Sequence, residues 1–420
     1  MNPKRHARLV VQDVEGTMFS IRPISAHTLR EAANELEKMG FPHAEADELA
    51  AATMCLHLKL EGIHEGMIPY LQGAARAHET RLIIGPRTSG NSRKHDLLLS
   101  GTPSQMEELA TTMKNRSSEL HEVSAKLLQL LKNIERTRFT ISCRTRSLRL
   151  GERTLIMGAI NITPDSFSDG GMYFQPDRAV DRVLEMVEEG ADLIDIGGES
   201  TRPGSRALDP REELRRIVPV IRKVATQTDI PISVDTKKAR VAREALEAGG
   251  QLINDVSALR SDPEMGDVVA SHDVPVVLMH MRGTPETMQQ EIHYVSLISE
   301  IAQYLRQSMD LACRVGVDPE KIIIDPGIGF GKTVDHNLAI IKHLYQFRIL
   351  GRPILIGTSR KSFIGKVLNL DVTEREEGTM ASVAASILSG AHIVRVHNVR
   401  NAVRVAQLTD AIKTVSLPEA

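Results

Sequence analysis

The chain has no tryptophan, and its aromatic residues make up 3% of 420. Any core must therefore be aliphatic and rich in methionine, of which there are 16. Cysteine is nearly as scarce. Cys55, Cys143 and Cys313 are odd in number, far apart and form no CxxC pair. That pattern argues against a disulfide framework or a zinc site and fits a reducing compartment. Excess charge is missing too: 52 lysines and arginines face 54 acidic residues, for a formal net charge of −2. Such balance gives no basis for bulk nucleic-acid binding. No apolar run is long enough to span a bilayer. The basic start Met1-Asn2-Pro3-Lys4-Arg5-His6 leads into no apolar core of signal-peptide length. The expectation is a soluble, cytoplasmic protein with neither nucleic acid nor membrane as a partner.

Length allows roughly two to three domains of about 150 residues, or one barrel plus an addition. The pattern divides the chain in two. Residues 1–145 read as a small α+β domain of β-α-β-β-α character. Thr28 and Glu31 have capping-box spacing before a helix ending near Gly40. A second helix is expected over Ala44–Met54, and Leu56–Leu60 alternates like a strand. Further helices are expected over Met67–His78, Ser104–Lys114 and Leu120–Ile134, with strands at Arg81–Ile84 and Leu97–Leu99. Pro86–Lys94 reads as a basic loop, more readily a solvated connector than an anion site. His57, His64 and His95 have no metal-ligand spacing. The function of this part is not legible.

Residues 146–417 are more regular. After an extended lead-in at 140–150, short apolar runs end in polar residues and are followed by amphipathic helices. The runs are Leu155–Ile160, Leu193–Ile196, Ile232–Asp235, Leu252–Asn254, Val276–Met279, Ile322–Asp325, Ile354–Gly357 and Ile393–Val396. Helices between them include Asp177–Glu189, Glu212–Thr226, Ala239–Glu247, Val295–Val315 and Thr379–Leu388. This alternation predicts a (β/α)8, or TIM, barrel. The fold class is thus α/β, a barrel preceded by a small α+β domain. A doubly wound open sheet is the runner-up, but no G-x-G-x-x-G follows the first strand.

In such a barrel all strand ends share one mouth. This mouth would carry Asn161, Glu199, Ser200, Thr201, Arg202, Asp235, Asn254, Met279, His280, Asp325, Ser359, Arg360, Lys361, Ser362, Arg395 and His397. Taken singly, an Asp here is as readily a cap or turn residue. Together, these carboxylates and cations are costly to bury unless they pair or bind something. Asp235, Asn254, Asp325 and Lys361 alternate acceptors with donors, which suits a flat heterocycle with amide-like edges, and Phe330 can pack on its face. Asn161, Arg395 and His397 flank the seam between the first and last strands. That favours an anion, with Asn161 a neutral oxygen donor to Mg2+. The Ser362 N–H opens a helix and can hold a carboxylate. The loop Asn161–Gly171 divides into a fixed first residue and a lid, Asp165–Gly171.

These residues also carry a resemblance. Asn161–Gly171, Gly197–Gly204, Ser233–Thr236, Ile253–Asp255, Asp325–Lys332, Gly357–Ser362 and Arg395–His397 resemble, in order, the motifs of the dihydropteroate synthases. The resemblance runs from about Thr154 to Ile412. It implies condensation of p-aminobenzoate with dihydropterin-hydroxymethyl pyrophosphate, releasing pyrophosphate. Carried over, it implies that Asp235, Asn254, Asp325, Lys361, Met279 and Phe330 bind the pterin. Asn161 would ligate Mg2+ on the pyrophosphate, held also by Thr201, Arg202, Arg395 and His397. Phe167, Pro203, Lys361 and Ser362 would form the p-aminobenzoate site, where sulfonamides compete. Asp235, Asp169, Arg202 and Lys361 would carry the chemistry. The resemblance also implies a homodimer formed through barrel helices. One departure is Asn398, where many family members have Asp. A pterin-binding methyltransferase using methyltetrahydrofolate and a corrinoid partner is the alternative enzyme, and a non-catalytic pterin-binding scaffold is the alternative outside enzymes.

Overall fold

The computed structural model describes residues 9–12, 18–21, 29–87, 93–114, 118–162, 176–200, 205, 207–284, 287–290 and 292–415. The chain forms two compact units, Met1–Leu131 with Ser416–Ala420, and Lys132–Val415.

The first unit holds a three-stranded antiparallel sheet with Lys94–Gly101 between Leu56–His64 and Arg81–Arg87. Alternation along the central strand buries Leu97 and Leu99 and exposes Leu98. The buried pair packs with Leu71, Met106, Leu109 and Leu127 from helices Ile68–Ala77, Pro103–Met113 and Ser118–Glu135. Thr102 and Gln105 cap the second of these reciprocally. Helices Leu29–Lys38 and His43–Thr53 share a small alanine core. Thr28 lies outside the described residues.

Two local expectations change here. Pro86 and Arg87 belong to a strand rather than to a loop, and Lys94 starts the next one. The proline is tolerated because its strand is at the sheet edge. A two-stranded antiparallel ladder, Leu9–Gln12 with Met18–Ile21, has no counterpart in the sequence reading.

The second unit is the expected barrel. Eight parallel strands run in sequence order around it: Leu155–Asn161, Leu193–Gly197, Ile232–Asp235, Leu252–Asp255, Val276–Met279, Ile322–Asp325, Leu355–Ile356 and Ile393–Val396. A parallel bridge from Ile324 to Ile354 joins the sixth strand to the seventh. Side chains alternate across each strand, which explains the continuous apolar runs. Ile194, Val234, Ile253, Leu278, Ile324 and Val394 face outward, in one core with the helices. Met157, Leu193, Leu252, Val277, Ile323, Leu355 and Ile393 form a separate core inside.

That inner core includes Phe139, Ile141, Leu148 and Leu150. They come from an antiparallel hairpin, Phe139–Ser142 with Ser147–Leu150, where only an extended lead-in was expected. Its alternating Phe/Ile and Leu/Leu faces close the end of the lumen where the strands begin.

Candidate active site

Two residues further along the same strand faces, the lumen becomes polar. Leu193 is followed by Asp195, Leu252 by Asn254, Val277 by Met279, Ile323 by Asp325 and Ile393 by Arg395. Asp195 is fully buried. It accepts hydrogen bonds from Ser233 Oγ at 2.5 Å, Asn254 Nδ2 at 3.0 Å and Arg395 Nε at 2.6 Å. A second donor of the guanidinium reaches Asp235, with Nη2 3.0 Å from Oδ2. Burial works against the Arg395 charge, but Asp195 and Asp235 outweigh it and hold its pKa above the ordinary value. Burial, and then the neighbouring Asp195 charge, raise the Asp235 pKa well above the carboxylate range, while Arg395 and Lys361 pull it back.

Asp325 ends the sixth strand, and its Oδ1 accepts the Gly327 N–H at 2.7 Å. That turn requires glycine: φ is +73°, and a Cβ at Gly327 would meet the His280 carbonyl oxygen at 1.9 Å. Burial lifts Asp325 to about 6, against the Gly327 N–H and the charge of Lys361. Lys361 caps the helix Ser362–Leu368 and places Nζ 4.2 Å from the centre of the Phe330 ring. Burial, aided by Arg395, lowers Lys361 to about 8, although Asp325 and Asp235 oppose the shift. Phe330 packs in an apolar cluster with Val256, Met279, Met281 and Met288. The structure thus brings Asp235, Asn254, Asp325, Lys361, Phe330 and Met279 to one mouth.

Asn161 ends the first strand and pairs with Gly197. A Cβ at Gly197 would lie 3.3 Å from the Asp235 Cβ and 3.5 Å from Asn161 Oδ1, so Asn161 flanks the same mouth. His397 follows the eighth strand, and its Nδ1 lies 2.8 Å from Ser359 Oγ. Ser362 opens its helix as expected. Arg395, expected on an anion, is engaged instead with Asp195 and Asp235, leaving only part of its donor set for a ligand. Phe167, Asp169, Thr201, Arg202 and Pro203, with the proposed lid, lie outside the described residues.

Sequence reasoning gave no role to three groups. Asp195 is the hub of the polar layer. Its signal was a lone carboxylate inside an apolar strand, on the same side as Leu193. Lys332 is buried and donates to His280 Nδ1 at 2.9 Å and to the Phe330 carbonyl at 3.0 Å, under the ring that faces the mouth. Burial lowers Lys332 to about 7. Glu199 pairs with Lys237 at 3.0 Å and with Lys238, which also meets Glu213 at 2.5 Å. Lys238 further bonds the Leu208 carbonyl and Glu199 the Leu208 N–H, tying the end of the segment after the second strand to its start.

The layer presents carboxylate and amide oxygens on one side and ammonium and guanidinium groups on the other. It can read a planar, hydrogen-bonding heterocycle and neutralise an anion. Among the described residues, no cluster of three or more His, Cys, Asp and Glu side chains is arranged for a metal.

Residues 157–397 match the family described as pterin binding enzyme. The dihydropteroate synthase of Synechocystis sp. is 47% identical over 263 residues, 62% of this chain and 91% of that protein. That of Clostridium beijerinckii is 48% identical over 269 residues, covering 64% of this chain and 97% of that one. Among solved structures, Xanthomonas albilineans dihydropteroate synthase with 4-aminobenzoic acid is 42% identical, with a TM-score of 0.63 over 67% of this chain and 100% of that one.

Proposed function

Because the chain belongs to the family of pterin-binding enzymes, we propose that its barrel works as a dihydropteroate synthase: it joins p-aminobenzoate to dihydropterin-hydroxymethyl pyrophosphate and releases pyrophosphate. It is a transferase of folate biosynthesis acting on small molecules. The observation that carries this reading is the polar layer in which Asp195 bonds Asn254 and Arg395, and Arg395 bonds Asp235, beside the buried Asp325 and Lys361. On this reading, Asp235, Asn254 and Asp325 accept the N–H groups of the pterin, Lys361 donates to its oxygen-bearing edge, and Phe330 and Met279 wall the ring.

The route is dissociative. Pyrophosphate leaves first from the methylene on the electron-rich pterin, and the carboxylates of Asp235 and Asp169 stabilise the cation that remains. Arg395, His397, Thr201 and Arg202 neutralise the departing oxygens. The amine is a weak, uncharged nucleophile, so its placement by Phe167, Pro203, Lys361 and Ser362 does much of the work. Sulfonamides would compete at that position.

Asn161 fits a Mg2+ ligand. It is a neutral oxygen donor at the mouth, which suits a hard cation that takes its remaining oxygens from substrate phosphate and water. Bound there with the substrate, Mg2+ would supply charge neutralisation of the leaving group.

We place the enzyme in the cytoplasm and read it as a homodimer. Supporting the dimer, Leu338, Val367, Leu368, Val372 and Leu388 are exposed on adjoining outer elements of the barrel. The catalytic part is taken as residues 146–417, and residues 1–145 as an accessory domain.

The test is product formation by the full chain from p-aminobenzoate and the pterin pyrophosphate, measured beside methyl transfer from methyltetrahydrofolate to a corrinoid. Dihydropteroate in the first assay and none in the second is expected. The reverse pattern would replace the reading with the methyltransferase.

A further inference from the structure

Asp195 belongs to the polar layer that carries the groups assigned to the pterin, yet the reaction gives it no step. It accepts three side-chain hydrogen bonds. Donors reach it from the third, fourth and eighth strands: Ser233 Oγ, Asn254 Nδ2 and Arg395 Nε. An ionised carboxylate only accepts hydrogen bonds. The side-chain amide of Asn254 therefore has one stable orientation, with Nδ2 toward Asp195 and Oδ1 on the opposite side. Among the described residues, no donor is paired with that Oδ1. Were the amide reversed, two oxygens would face each other in a buried site at the cost of an unmade hydrogen bond.

We propose that Asp195 is a positioning residue that fixes the Asn254 amide with its oxygen toward the ligand, and so gives the pocket its preference for a heterocycle presenting N–H donors. The inference rests on the reading of this mouth as the pterin site. Asp235 and Asp325 alone do not impose the preference. Burial pushes both toward the protonated state, and a protonated carboxyl can donate as well as accept. Charged groups acting on Asp235 are Asp195, Arg395, Glu213 and Lys361. Of these, Asp195 and Arg395 also fix side-chain geometry in the layer. The Asn254 oxygen is an acceptor at every pH, provided the amide cannot turn over.

The experiment compares two free heterocycles binding to the full chain by calorimetry: a 2-amino-4-oxopteridine, and the counterpart in which oxygen replaces the 2-amino group. Wild type is expected to favour the amino form by about 30-fold or more, since a site built around a hydrogen bond rejects the ligand that cannot make it. In Asp195→Asn the new side chain can donate, Asn254 can reverse, and the preference should fall by at least about fivefold. Combining Asp195→Asn with Asn254→Ala should bring no further loss of preference, because the first acts through the second. Ser233→Ala is the milder arm should Asp195→Asn not fold. It removes one donor to the same carboxylate and should reduce the preference by about twofold. Wild-type preference in a folded Asp195→Asn, an unchanged ratio in Ser233→Ala, or additive effects in the double variant would each overturn the proposal. Absence of pterin binding by the wild type would instead remove the functional reading beneath it.

Discussion

The two ends of the barrel lumen are built by the same strands, yet they obey opposite rules. At the closed end, Leu193, Leu252, Val277, Ile323 and Ile393 meet the hairpin residues Phe139, Ile141, Leu148 and Leu150 in an apolar core. Two residues further on, about 6.6 Å at the usual rise per residue, the same faces carry Asp195, Asn254, Met279, Asp325 and Arg395. One end is packed so that it needs no ligand. The other holds carboxylates and cations away from water with only part of their bonding met by the protein. The difference teaches how a barrel separates stability from function: the floor contributes folding free energy, and the mouth gives some of it up to stay preorganised.

The sharpest way to break that comparison is at the floor. Ile323 is fully buried inside the closed end. Ile323→Ala should cost about 2–5 kcal/mol of stability, the usual range for such a truncation, in denaturant unfolding of the barrel. Michaelis constants for both substrates should stay near wild type. A large change in either constant would mean that the two ends are not separable.

At the mouth the expected effect is on rate. Asp235→Asn or Lys361→Ala should lower turnover by at least about 100-fold, or about 2.7 kcal/mol of barrier. Melting temperature should hold or rise in Lys361→Ala, which removes a buried charge with no ion pair among the described residues. It should fall in Asp235→Asn, where Arg395 loses one of its two buried carboxylate partners. Near-wild-type turnover in either variant would remove these residues from the chemistry.

A pH profile sharpens the same contrast with a smaller effect. Burial pushes Asp325 up to about 6 and Lys361 down to about 8. As pH falls, Asp235, pushed up to about 7, and then Asp325 gain protons and lose part of their acceptor role. As pH rises through about 8, Lys361 loses its charge. Turnover per Michaelis constant for the pterin substrate should be bell-shaped, dropping by about tenfold per pH unit beyond each limb. In Lys361→Ala the alkaline limb should disappear. A flat wild-type profile over this range would contradict the assignment of these groups.

The barrel was legible because parallel strands covered on both sides are written as apolar runs, and because each run ended in a polar residue. Asp235, Asn254, Asp325 and Met279, which the structure brings to the mouth, were legible as strand ends for the same reason. Asp195 was passed over because it sits inside a run, where the hydrophobic signal of Leu193, Ile194 and Ile196 conceals a one-residue change of side. Arg395 and Asp235 were found, but the pairing of Arg395 with Asp195 and Asp235 was not. A guanidinium at a strand end announces an anion without saying that two lumen carboxylates already hold it. The hairpin under the barrel was missed because its two strands have four residues each, too few for alternation to stand out. In the first unit the edge strand Leu56–His64 was legible from alternation and the central strand as the apolar run Leu97–Leu99, but no catalytic constellation accompanied them.

Ser359 offers the finest test of how the mouth is held. Its Oγ accepts the His397 backbone N–H at 3.3 Å and lies 2.8 Å from His397 Nδ1. With its hydrogen still unused, the Ser359 hydroxyl can donate to Nδ1. The neutral imidazole then carries its proton on Nε2, where it can donate to a pyrophosphate oxygen. Ser359→Ala removes this constraint, and the ring can adopt the other tautomer. The expected cost is about 1 kcal/mol, the net value of one such hydrogen bond. It should be read as roughly a fivefold rise in the Michaelis constant for the pterin pyrophosphate. Affinity for the same pterin without its pyrophosphate should not change. Equal weakening of both would show that Ser359 supports the heterocycle rather than the anion, and that the boundary between the two halves of the mouth lies elsewhere.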